Sequence, residues 1–283
     1  MATSLPADPA RSHVRRFGLA ERLLHGLLMF SFLGLGLTGL PLLFAEASWA
    51  AIMAGLVGGY GVTSVLHRIF ATLMISLFAA HLARLLHRLY VKKELGILWG
   101  TDSLVPQPRD VTQMAQHFRW FVGLGRRPDF GRFTYWEKFD YWAVFWGMGV
   151  IGGSGLMLWF PGLFARFLPG WVFNVAFVVH GEEALLATMF IFTVHFFNGH
   201  LRPEKFPMDT VIFTGSTSLE EFRHERPAEY AALINSGKLD ALLVPPPAPR
   251  ILLAGRIAGS IAVLLGLLMV LLTVRAVLVV PPG

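Results

Sequence analysis

Residues Val178–His200 read VVHGEEALLATMFIFTVHFFNGH, a stretch the length of a membrane span that carries three histidines and two adjacent glutamates. About 20 apolar residues suffice for a helix to cross a bilayer. A charged or strongly polar group at the centre of such a helix costs about 2.5 to 3.5 kcal/mol on insertion scales, so polar side chains there face a protein interior and carry function. His180, His195, His200, Glu182 and Glu183 are therefore expected to meet buried partners.

The rest of the chain agrees with a membrane setting. Of 283 residues 54% are hydrophobic and 15% charged, with a mean hydropathy of +0.57, a composition far from that of soluble domains. Five apolar runs reach spanning length: Leu23–Phe44, Tyr60–Leu86, Tyr141–Phe160, Trp171–Phe197 and Ile251–Val280. Backbone groups in lipid must be satisfied within the segment, so these runs are helices. The expected fold class is all-α, an integral membrane helical bundle of about five transmembrane helices. Residues 1–22 form an N-terminal segment. Residues 23–215 form a four-helix membrane domain with a loop over 90–138, residues 216–250 a helical segment and Pro-rich linker, and 251–280 a fifth helix. The first run is too long for a signal peptide and no clean small-residue cleavage site follows it, so it is expected to be retained.

Lys and Arg cluster before the first run, between the second and third, and after the fourth, whereas the loops at 45–59 and 161–170 hold only Arg166. The positive-inside rule then places the N-terminus in the cytoplasm and the C-terminus in the periplasm of a bacterial inner membrane. The net charge of +6 follows from that asymmetry and calls for no nucleic acid partner. The chain has no cysteine, which excludes disulfides, thiolate metal sites, cysteine-ligated iron–sulfur clusters and covalent c-type haem. Histidine is the main metal ligand left. Within the loop, Val111–Val122 reads as a short amphipathic helix. Ser218 and Glu221 form a capping box that opens a surface helix or pair ending at Gly237, and Val244–Arg250 reads as a polyproline spacer.

The second run matches the fourth. His67 and His81 are fourteen residues apart and His180 and His195 fifteen, separations of roughly 21 to 23 Å at helical rise. Two such helices side by side offer two stacked pairs of neutral imidazoles, the ligand set of bis-histidine haem b. His67 and His180 share the outer depth, and one haem there follows directly. Toward the inner side His25, His81, His195 and His200 are all candidates. Arg68 is placed to pair with a haem propionate or to snorkel to the outer interface. Gly34, Gly36, Gly39, Gly152, Gly153 and Gly155 serve close helix packing or clear room for porphyrin. His13, His87, His117 and His224 fall at polar ends, where solvation is the default.

The segments ERLLHGLLMFSFLGLGLTGLPLLF, VLHRIFATLMISLF, RFTYWEKFDYWAVFWGMGVIGGSGLMLWFPGLF and VVHGEEALLATMFIFTVHFFNGHLRPEKFPMDTVIFTG, over about residues 15–235, resemble the di-haem cytochrome b (gamma) subunit of respiratory formate dehydrogenase. They resemble still more the broader cytochrome b group that works beside multihaem c-type cytochromes. The resemblance implies an outer haem on His67 and His180 and an inner haem on His25 and His195. It also implies a quinone or quinol near the inner haem, at Thr134, Trp136, Glu137 and Lys138 with His195. The chain departs from that pattern by adding His81, His200 and a fifth helix, so either His81 replaces His25, or His81 and His200 hold a third haem or bond quinone or propionate.

What these readings imply is an electron-transfer subunit of a quinone-linked oxidoreductase with two b haems, or three, and a periplasmic redox partner, either a multihaem c-type cytochrome or an iron–sulfur protein. The apolar loop Trp159–Phe173 is the expected docking surface for it. Two rivals are a transporter moving protons or a divalent metal on membrane His and Glu, which would be colourless, and a redox-inactive anchor subunit, which would tolerate loss of His67 and His180.

Overall fold

Apolar runs bounded by charged loops leave the backbone little choice but helix, and in the computed structural model, which describes residues 11–279, helix accounts for 74% of the structure. Among the described residues five helices are long and apolar enough to cross a membrane: Leu19–Leu43, Tyr60–Val91, Tyr135–Trp159, Trp171–Leu201 and Pro249–Leu278. The protein is thus an all-α, multi-pass membrane bundle. In the second and third of these only 6% of the most apolar window is buried within the protein, so their apolar surface is turned outward, as lipid requires. Residues 1–10 of the expected N-terminal segment and Val280 of the expected fifth helix lie outside the described residues.

The third helix begins at Tyr135, six residues before the expected Tyr141. The reason is local: the Thr134 hydroxyl and backbone N–H donate to Glu137 Oε2, both at 2.7 Å, and Glu137 N–H returns to Thr134 Oγ1 at 3.4 Å. This capping arrangement satisfies orphan donors at the helix start.

The chain divides into two units. The first, here the polar unit, comprises residues 11–23, 83–143 and 210–255. Its expected helices are present at Pro108–Phe121, Leu219–Glu225 and Pro227–Asn235, and the Ser218 cap accepts from Glu221 N–H at 3.2 Å. It also holds strands that composition and periodicity did not show: β1 (His13–Arg15), β2 (Ser216–Ser218) and β3 (Leu243–Val244), antiparallel in the order β2-β1-β3, with Val14 opposite Thr217 and Leu243. Strands of two or three residues are too short to display an alternating pattern. Val14, Phe222 and Leu239 form the small core beneath them, joined by Leu219, Tyr230 and Leu233.

The second, the histidine unit, comprises residues 24–82, 144–209 and 256–279. Leu40, Trp49, Phe192 and Phe196 pack there against Ala262, Met269 and Ala276 of the last helix, which recur every seven residues on one face. Small residues let the helices close up: a Cβ at Gly36 would lie 2.7 Å from Met269 Sδ, and one at Gly266 2.2 Å from the Phe192 ring. Three stretches of this unit are wound as π-helix, Met148–Gly152, Ile191–His195 and Phe197–Leu201, a winding rare elsewhere and frequent at functional sites.

Candidate functional site

His67 and His180, from the second and fourth membrane helices, are brought together in the histidine unit, with ring centres 6.3 Å apart and planes at 83°. Each ring is held by its Nδ1. Thr38 Oγ1 donates to the Gly34 carbonyl at 2.6 Å, which spends its one proton, so at 3.0 Å it accepts from His67 Nδ1–H. His180 Nδ1–H donates to the Ile151 carbonyl at 3.0 Å, and a carbonyl can only accept. Ile151 sits in the π-helical stretch Met148–Gly152, where altered winding redirects the backbone carbonyls; Ser154 Oγ, 3.3 Å from the same nitrogen, donates to Val150 O at 2.6 Å. Both histidines are thereby fixed as the Nδ1–H tautomer, which leaves each Nε2 with its lone pair.

That is the orientation found for imidazoles that bind metal through Nε2. A ring separation of 6.3 Å is short enough for both imidazoles to serve one bound group. Among the described residues no group of three or more His, Asp or Glu is placed to hold a metal. A pair of neutral imidazoles is also the ligand set of a bis-histidine haem, in which a macrocycle supplies the remaining ligands.

Glycine makes room for both rings. A Cβ at Gly155 would lie 2.9 Å from His180 Cε1, and one at Gly39 3.1 Å from His67 Cε1. The other glycines of the two clusters differ: Gly34 admits the Phe70 ring, Gly36 admits Met269, and nothing lies within 4 Å of a Cβ at Gly153. Helix packing accounts for Gly34 and Gly36, and clearance of the histidines for Gly39 and Gly155.

His25, His195 and His200 form a second group in the same unit, with His25 within electrostatic range of both others and His195 within range of His200. His195 and His200 lie five positions apart, which an α-helix would set about 140° apart around its axis; the wider π winding of this stretch brings them nearer to one side. His81 lies edge-on to Phe145 at 6.3 Å. Arg68 lies over the Trp159 ring at 5.7 Å, and Glu183 accepts from Trp146 Nε1 at 3.2 Å.

Thr134, Trp136, Glu137 and Lys138 belong to the polar unit, where each has partners. Glu137, besides capping, accepts two bonds from Arg226 at 2.8 and 2.9 Å. Lys138 is buried and donates to both oxygens of Asp110 at 2.9 and 2.8 Å. Arg16 pairs with Glu229, and Arg132 and Arg127 reach Glu229 and Glu225 at 3.4 Å. Burial works against the charge on Arg226, but Glu137, Glu225 and Glu229 outweigh it and raise its pKa above the usual arginine value.

His117 is not the solvated residue its surroundings in sequence imply. It is buried, its Nδ1 lies 3.1 Å from Tyr135 Oη, and its ring stacks on Trp120 and Trp136 at 5.4 and 5.3 Å. Thr38, Ile151 and Ser154 were likewise not singled out by the sequence. A hydroxyl within spanning sequence was the available signal for Thr38 and Ser154; a backbone carbonyl leaves none. No protein-family model matches the chain, and no curated protein matches it.

Proposed function

We propose that the chain is a membrane cytochrome b, an electron-transfer subunit that links a quinone pool to a redox partner on the opposite face of the membrane. The observation that carries this reading is the His67–His180 pair: facing helices, a 6.3 Å ring separation and both Nδ1 atoms tied. Bound between them, a b haem would supply one-electron redox chemistry at a potential set by its ligands and burial. The chain's own part is to orient both imidazoles through Thr38 and Ile151 and to leave room for the rings at Gly39 and Gly155.

A second haem is proposed on His25 and His195, supported by their electrostatic proximity and by the resemblance to formate dehydrogenase gamma subunits. His200, brought into the same group by the π winding, is the added ligand or hydrogen-bond donor there, and His81 belongs to the same proposal at lower rank. The quinol end is proposed, on the resemblance, near Thr134, Trp136 and Glu137. Lys138, its ammonium held by Asp110, is assigned to holding the fold. The Lys and Arg distribution supports a bacterial inner membrane with that end cytoplasmic and the C-terminus periplasmic. At the opposite end Phe160, Leu163, Phe167 and Trp171 are exposed, a surface suited to a periplasmic multihaem c-type cytochrome or iron–sulfur partner.

The test is a pyridine haemochrome assay against protein concentration, with His67→Ala and His180→Ala. Each variant should lose one haem per chain and keep the other. A colourless wild-type protein, as a proton or metal transporter would give, sinks the reading, and so does an unchanged haem ratio in both variants.

A further inference from the structure

Helix Pro108–Phe121 is amphipathic the wrong way round for a globular protein. At 100° per residue, Asp110, Gln113, His117 and Trp120 share one arc of about 80°. Asp110 and His117 are buried, at 6% and 5% exposure. Val111, Met114, Phe118, Phe121 and Val122 share a neighbouring arc of about 100°, and Val111, Phe118 and Phe121 are 60 to 62% exposed. Thr112, Gln116 and Arg119 occupy the third arc and are exposed. Apart from Trp120, which stacks on His117, the residues turned to the protein are polar and those on the neighbouring arc are apolar and exposed, with a separate polar edge.

We infer that this helix lies in the plane of the membrane surface, with Val111, Phe118 and Phe121 in the acyl boundary and the arginines at its C-terminal end on anionic phospholipid headgroups. Three observations choose lipid over a protein partner. The buried face ties the helix to the first turn of a membrane-crossing helix, through Asp110 to Lys138 and His117 to Tyr135, so it is anchored where the chain enters the bilayer. The apolar arc is flanked on its solvent side by a polar arc of Thr112, Gln116 and Arg119, and an apolar face beside a polar, Arg-bearing one is the pattern of interfacial helices. The turn after it, shaped by Gly123 and Gly125 at φ +77° and +131°, borders an open surface pocket of about 340 Å³ lined by Gln116, Arg119, Arg126, Arg127 and Asp129. Arg127 is shared with Glu225 at 3.4 Å, which leaves the guanidinium groups of Arg119 and Arg126 against the Asp129 carboxylate, a net positive lining complementary to a phosphodiester.

The chain has no cysteine, so single labels can be placed cleanly. Phe118→Cys and Thr112→Cys, each carrying a nitroxide, are reconstituted as the full chain in vesicles of phosphatidylethanolamine and phosphatidylglycerol. The label at 118 should be open to oxygen and shielded from a water-soluble nickel chelate, and the label at 112 the reverse. Equal nickel access at both positions overturns the inference. Exclusion of both reagents at 118 also overturns it, in favour of a second copy of the chain on this face. For the headgroup, spin-labelled phosphatidylglycerol should bind in preference to phosphatidylcholine. Arg119→Gln should lower that preference roughly fivefold, and Arg126→Gln by a similar factor. Unchanged preference, or displacement by soluble glycerol phosphate, would overturn the headgroup assignment. Neither measurement reads haem, so the inference stands or falls apart from the proposed electron transfer.

Discussion

Thr38 Oγ1 lies 3.0 Å from His67 Nδ1 while giving its own proton to the Gly34 carbonyl at 2.6 Å. That hydroxyl, with the Leu35 carbonyl beside it, sets which nitrogen of His67 carries hydrogen and which keeps its lone pair. Thr38→Val preserves shape and removes the hydroxyl's share of that control. Partners of this kind are typically worth 10- to 100-fold in metal affinity, so on the proposed reading the variant should hold haem more weakly and shift its midpoint potential. Haem retention under competition and a redox titration check this; wild-type behaviour in both would show that Thr38 does not position the ligand.

The glycines beside the rings should be intolerant of a methyl group in a graded way. Gly155→Ala places Cβ 2.9 Å from His180 Cε1, closer than real contacts allow, whereas Gly39→Ala leaves 3.1 Å to His67, which a small ring shift relieves. Gly155→Ala should broaden or lose the signal of the proposed outer haem, Gly39→Ala should shift it, and Gly153→Ala, with open space around it, should leave it unchanged. Low-temperature absorption and electron paramagnetic resonance would rank the three.

The bundle was legible because lipid leaves one solution for a run of 20 apolar residues, and the closeness of His67 to His180 was legible because few polar groups are tolerated within apolar spans. What escaped had no periodic signature. Strands β1 to β3 are two or three residues long and depend on Val14 meeting Thr217 and Leu243 across more than 200 residues of sequence. The π stretches that give His180 its acceptor and carry His195 and His200 leave no signature in local composition. The early start of the third helix could have been read, since Thr134-Tyr-Trp-Glu137 has the same capping form as Ser218 and Glu221.

Strand β1 should loosen in acid. Burial lowers the His13 pKa below its ordinary 6.5, and Glu221 only partly offsets this. The folded strand thus binds the proton less well than the unfolded chain. Its stability is full above about pH 6.5 and falls as pH drops from that value toward the lower folded pKa. Hydrogen exchange at the Val14 amide should quicken between about pH 7 and pH 5 beyond the intrinsic pH trend, and His13→Gln should abolish the excess. A His13→Gln profile matching wild type would remove His13 as the cause.

The Asp110–Lys138 pair should behave as a buried ion pair, with each member costly to strand. Lys138 is 1% exposed and Asp110 6%, and Lys138 makes two bonds to it at 2.8 and 2.9 Å. Asp110→Ala leaves an ammonium without its counter-charge and should cost about 3 to 5 kcal/mol, whereas replacing both members by apolar residues, Asp110→Leu with Lys138→Met, is often close to neutral. Asp110 also accepts from Gln107 N–H at 2.6 Å, so the double variant gives up one helix-start bond worth about 1 kcal/mol. Thermal unfolding in detergent should therefore rank the double variant well above Asp110→Ala. The same double variant separates fold from chemistry. With Lys138 assigned to structure, the proposed quinol-linked haem reduction should stay within about twofold of wild type. A loss on the scale of general acid–base catalysis, about 100-fold or more, in a variant that unfolds normally would place Lys138 at the quinol instead.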